Sequence, residues 1–197
     1  MSGLIDQLTQ QLSGNALESL TRSLGAKPKQ TESALSASLP ILLGALARNA
    51  QKPEGAEGLF NALSKKHDGS ILDNLTNAVS APDLEDGSGI LKHVLGGRRE
   101  TVETGVAKAS GLGPDQVKKM LATLAPLVLG SLGRAKQSKG MGIEDLTNML
   151  SGEQQAMEAK DSKVGGILAG LLDKDGDGSI MDDLAGGMLG RLFGRGN

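Results

Sequence analysis

Displacing the chain against itself by 86 residues brings Gly25, Pro28, Gln30, Leu35, Pro40, Leu43, Gly44, Leu46 and Arg48 into register with Gly111, Pro114, Gln116, Leu121, Pro126, Leu129, Gly130, Leu132 and Arg134. After a one-residue insertion, Leu59, Asn61 and Leu63 fall on Leu146, Asn148 and Leu150. A repeat of this period, carrying prolines and glycines at matched places, predicts two copies of one helical unit, and the simplest arrangement is a pseudo-symmetric pair burying matching faces.

The unit reads as helical. Pro28 and Pro114 sit where a helix would start, a position at which the missing N–H of proline does no harm, and apolar residues then recur at helical spacing. Pro40 and Pro126 come halfway along each long helix, remove a backbone hydrogen bond and crowd the preceding turn, so a kink or a break is expected there. Gly44 and Gly130 lie just beyond and are read as sites of close helix contact, and Arg48 and Arg134 as capping a helix end or pairing with a nearby carboxylate. Leu and Ala dominate the apolar set, Phe60 and Phe193 are the only aromatics, and no stretch alternates apolar and polar residues for long. The expected fold class is therefore all-α: a duplicated helical repeat forming a small bundle, with a C-terminal helix-loop-helix.

Asp173-Lys174-Asp175-Gly176-Asp177-Gly178-Ser179 is the one segment whose spacing implies chemistry. Carboxylates at alternate positions with glycine sixth form the first half of an EF-hand-type loop, which wraps about six to eight oxygens round a calcium ion. Asp173, Asp175, Asp177 and Ser179 take the first four ligand positions. The second half departs from the pattern, with Met181 ninth and Leu184 twelfth, so Asp182 or Asp183 would have to close the shell. The competing reading is a solvated helix start, with Ser179 and Asp182 as a capping pair. The expected metal is Ca²⁺, weakly held.

Two relatives of the same Asp-Gly-Ser unit occur earlier, Asp68-Gly69-Ser70-Ile71-Leu72-Asp73-Asn74-Leu75 and Asp86-Gly87-Ser88-Gly89-Ile90. Neither carries the extra aspartates: the first is read as a capped helix start without an ion, the second as another short helix ended by glycines. His67 is placed in a surface turn and His93 on a short helix ended by Gly96-Gly97, neither as a metal ligand. Breaks are expected at Gln51–Gly55, Ser80–Ser88, Gln137–Gly142 and Ser151–Val164. They divide the chain into a first helical repeat over 1–80, a linker helix and second repeat over 81–150, and a polar linker with the acidic-loop helix-loop-helix over 151–197. That last segment has too few bulky residues to stand alone and must dock on the repeats or on another molecule.

The duplicated Leu-Leu-Gly-Ala-Leu-Ala-Arg and Val-Leu-Gly-Ser-Leu-Gly-Arg cores, the Asp-Gly-Ser-Gly-Ile-Leu-Lys-His-Val-Leu-Gly segment and the terminal Asp-Gly-Asp-Gly-Ser unit resemble the bacterial domain-of-unknown-function family 937, related to YidB-like proteins. The resemblance covers almost the whole chain. It implies a small bacterial cytoplasmic protein of helical, homeodomain-like fold, and it brings no activity and no catalytic residues.

The absence of cysteine removes disulfides, thiolate metal sites and thiol nucleophiles, and no glycine-rich phosphate loop follows a strand pattern. An enzyme is not expected. A net charge of −2 lacks the basic field of a nucleic-acid binder. Lys118, Lys119, Arg134 and the Arg98-Arg99 pair leave a helix-turn-helix-like nucleic-acid module as the disfavoured alternative. No apolar run reaches membrane-spanning length and no secretory leader is read, so a cytoplasmic location is expected. The favoured function is a scaffold or self-associating protein, a homo-oligomer or the partner of another protein, with calcium setting the docked state of the C-terminal segment.

Overall fold

The computed structural model describes residues 3–160. Among them every regular element is helical: α1 (Leu4–Gln11), α2 (Asn15–Leu24), α3 (Pro28–Ala50), α4 (Pro53–Lys65), a 3₁₀ helix (Ser70–Asn74) leading into α5 (Leu75–Ser80), α6 (Leu84–Leu95), a 3₁₀ turn (Gly96–Arg98), α7 (Arg99–Ser110), α8 (Pro114–Lys139) and α9 (Ile143–Lys160). No helix among the described residues is long and apolar enough to cross a membrane.

α3 and α8 form the centre. Each starts with proline at its first turn, preceded by a glycine held in the left-handed region, Gly25 at φ 61° and Gly111 at φ 70°. In each, the glutamine of the first turn accepts from the residue before the helix: Lys27 N–H donates to Gln30 Oε1 at 3.2 Å and Gly113 N–H to Gln116 Oε1 at 2.9 Å. The middle of each is buried on every side, Leu39 to Ala47 in α3 and Met120 to Gly133 in α8. A helix apolar all round is a core helix, and its neighbours supply the amphipathic faces: α7, α9 and α4 pack on α3, α6 and α7 on α8, and α3 on α8.

Pro40 and Pro126 break neither helix, since both helices run through them. Both prolines are buried, and packing on all sides holds the helix where local propensity alone would end it. The expected boundary at Ser151 is likewise absent, because α9 continues to Lys160 with Leu146, Leu150 and Met157 buried. α6 starts inside the expected Ser80–Ser88 break: Asp83 Oδ1 accepts from Asp86 N–H at 2.9 Å and caps the helix before the Asp-Gly-Ser unit. Gly87 is then a packing residue, for a side chain there would overlap the Ala122 carbonyl of α8.

Candidate functional site

The six aspartate and serine positions of the expected calcium loop, Asp173, Asp175, Asp177, Ser179, Asp182 and Asp183, lie outside the described residues, as does the C-terminal helix-loop-helix built round them. Among the described residues no three His, Asp or Glu side chains converge as a metal site. A concave feature of the described residues lies elsewhere, between α4 and α6, with α3 and α8 beneath it.

This cleft has a volume of about 690 Å³. Leu46, Leu59, Ile90, Val94 and Leu129 give it an apolar floor, and Glu54, Asp83, Glu85 and Asp86 stand on its walls. Gly58 and Gly89 also line it, and a side chain added at either would meet nothing within 4 Å. Mid-helix glycine costs up to about 1 kcal/mol relative to alanine, so these two are not there for helix stability or for close packing; they leave space. Gly55 differs, because a methyl group there would overlap the Asn49 carbonyl, and it sets how closely α4 follows α3.

One end of the cleft carries a cluster of interacting polar groups. Asp86 accepts from Lys66 Nζ at 2.6 Å and faces His67 Nε2 at 3.9 Å. The expected surface turn at His67 is corrected here: the ring is 8% exposed, because residues 67–69 are drawn against α8. Burial lowers the His67 pKa below its ordinary 6.5, against the opposing pull of Asp86, so the ring is held neutral near pH 7. The Asp86 hydrogen bond and charge raise the pKa of Lys66, which stays a cation. At the other end His93 keeps Nδ1 2.8 Å from the Gly89 carbonyl, and its own carbonyl accepts from Asn49 Nδ2 at 3.0 Å. His93 is a helix residue, as expected.

Beyond His67, the chain crosses the face of α8. Asp68 Oδ1 accepts from Ser70 N–H at 3.0 Å and closes the turn, which also lowers the Asp68 pKa. Gly69 sits at φ 107° over Gly130 and Arg134, where a Cβ would come within 2.7 Å of the Arg134 Cβ. A methyl group at Gly133 would overlap the His67 carbonyl, and one at Gly130 would reach within 2.5 Å of Ile71 Cγ2. Gly130 therefore makes room for Ile71 of the 3₁₀ helix. Arg134 locks the crossing, donating to the Gly69 carbonyl at 2.6 Å and to the Asp73 carboxylate. This is the structural pairing expected of Arg134.

The acidic wall and the Asp86 cluster were not legible as a site beforehand, since Lys66 and Asp86 stand 20 positions apart and nothing in spacing joins them. The available signal was two glycines, Gly58 and Gly89, inside otherwise good helix patterns. Comparison with curated proteins and with solved structures finds no match. The bacterial family of unknown function DUF937 matches over residues 6–137, which spans α2 to α8 and both walls of the cleft, and the chain belongs to that family.

Proposed function

We propose that the protein is a non-enzymatic, self-associating scaffold whose α4/α6 cleft receives the C-terminal stretch of a second copy. The observation that carries this reading is the cleft itself: an apolar floor, two glycines that keep it open and carboxylates on its walls, Glu54 and Glu85 beside Asp83, which caps α6, and Asp86, which holds Lys66. Residues 187–195, Gly-Met-Leu-Gly-Arg-Leu-Phe-Gly-Arg, offer the complementary chemistry, with Met188, Leu192 and Phe193 for the floor and Arg191 and Arg195 for the carboxylates. The described lining holds no hydroxyl or thiol nucleophile, which favours binding over catalysis.

Calcium at Asp173, Asp175, Asp177 and Ser179, closed by Asp182 or Asp183, would neutralise the segment just before that stretch and present it. The framework behind both is read as a duplicated unit, supported by the matched environments of Gln30 and Gln116. A homeodomain-like, nucleic-acid-binding reading has less behind it, because α3 and α8, the helices that would enter a groove, are the two most buried.

Sedimentation velocity on the full chain tests the proposal. Association is expected in the wild type, stronger with calcium than with chelator. Phe193→Ser, or Gly58→Leu with Gly89→Leu, should give monomer. A wild type that is monomeric throughout would reject self-association, and identical mass and thermal stability with calcium and chelator would reject calcium control.

A further inference from the structure

The turn that crosses α8 has a second copy in the sequence with no assigned place. Asp68-Gly69-Ser70-Ile71-Leu72-Asp73 reappears as Asp177-Gly178-Ser179-Ile180-Met181-Asp182, and the surface the first copy occupies reappears too. On α8 that surface is Gly130 under Ile71, and Arg134 bonded to Gly69 and Asp73. Moved by the 86-residue period, Gly130 and Arg134 become Gly44 and Arg48 on α3. We infer that residues 177–182 dock in the same chain across α3 at Gly44 and Arg48, with Gly178 over the helix, Ile180 against Gly44 and the Asp182 carboxylate on the Arg48 guanidinium.

Three details favour this occupant, and one change limits how the chain enters. Gly69 needs both a left-handed φ and a missing side chain, and its counterpart Gly178 is again glycine. The ion-pairing residue, Asp73, is matched by Asp182 and not by an uncharged residue. The helix side changes once, Ala47 for Gly133, and because the atom over Gly133 is the His67 backbone carbonyl, a chain on the same path would set the carbonyl of residue 176 against the Ala47 methyl; the match to the first copy therefore begins at residue 177. Reach is also sufficient. α9 already packs on α3, and the 16 residues between Lys160 and Asp177 can extend about 50 Å.

The docking rests on the duplicated framework but not on the cleft or on oligomer formation. It also reassigns a calcium ligand: with Asp182 on Arg48, Asp183 is left to close the shell round Asp173, Asp175, Asp177 and Ser179. The Asp-Gly-Ser unit is then a clasp between the two halves, used twice, with the metal loop built on its second occurrence.

Limited trypsin digestion of the full chain, dilute and in chelator, tests this without calcium or self-association. The readout is the rate of cleavage after Lys174, followed by mass spectrometry. Asp182→Ala and Gly178→Ala should each speed cleavage several-fold while leaving helix content unchanged, since neither belongs to α1–α9. Arg48→Ala should do the same, and Arg48→Ala with Asp182→Ala should cut no faster than the faster single variant. A wild-type rate equal to those of Asp182→Ala and Gly178→Ala would overturn the docking, as would effects of Arg48→Ala and Asp182→Ala that multiply.

Discussion

Gln30 and Gln116 do the same work in opposite directions. The Gln30 side chain donates to the Gly111 carbonyl at 2.6 Å, while that of Gln116 donates to the Gly25 carbonyl at 3.1 Å and to Leu24 at 3.0 Å. Each glutamine begins one central helix and ties down the end of the short helix that precedes the other, α7 for Gln30 and α2 for Gln116. A helix C-terminus leaves carbonyls unpaired, so each amide satisfies a group that would otherwise need water. The two bonds differ in exposure. Gln116 works in a partly buried setting with two acceptors, and Gln30 in an exposed one. Gln116→Ala should cost about 1–2 kcal/mol and Gln30→Ala about 0.5–1 kcal/mol, read as a difference in melting temperature by far-UV circular dichroism.

Glycine substitutions should separate packing from opening. Gly87→Ala drives a methyl group into the Ala122 carbonyl, backbone that cannot swing aside, and should destabilise by about 2–3 kcal/mol. Gly58→Ala and Gly89→Ala meet open space and should stabilise by about 0.5–1 kcal/mol each through helix propensity. Chemical denaturation of the three variants gives the signs directly. A loss of stability at Gly58 or Gly89 would mean that these glycines hold a contact and do not merely keep the cleft open.

The N-terminal helix depends on a residue that lies in a stretch expected to be a polar linker. Glu153 of α9 accepts from Leu4 N–H at 2.9 Å, which places a carboxylate at the start of α1, where the helix dipole favours negative charge. Glu153→Gln should cost about 0.5–1 kcal/mol. Hydrogen exchange should show the loss first at the amides of α1, ahead of the core helices.

The all-helical framework was legible because it is written in strong local signals: Pro28 and Pro114 at helix starts, Gly25 and Gly111 at helix ends, and apolar residues at helical spacing. Where those signals were overridden, burial did the overriding. Pro40 and Pro126 look like breaks to any local reading, yet each lies inside a helix packed on all sides. Ser151 to Lys160 looks polar, yet the buried Leu150 and Met157 anchor that stretch as helix. Arg134 was read correctly as a structural pairing because a cation near a helix end has few other uses; its partner Asp73, 61 positions away, was out of reach of any such reading. The Asp86 cluster was missed for the same reason. His67 in Lys-Lys-His-Asp reads as surface, and only the fit of its carbonyl over Gly133 draws it under cover.

That burial makes His67 a source of acid sensitivity. Its folded pKa lies below the ordinary 6.5, with burial the largest cause and Asp86 opposing it. On acidification the unfolded chain takes up the proton first. The contribution of His67 is therefore fully present above about pH 6.5, declines as pH falls from there through the folded pKa, and is constant below it. His67→Gln should flatten the fall in melting temperature on going below pH 6.5. Asp86→Asn removes the group that raises the ring's pKa, lowers the folded value further and should steepen the same fall. The two variants thus move the acid limb in opposite directions. Parallel shifts would mean that Asp86 acts on stability through Lys66 and not through the imidazole.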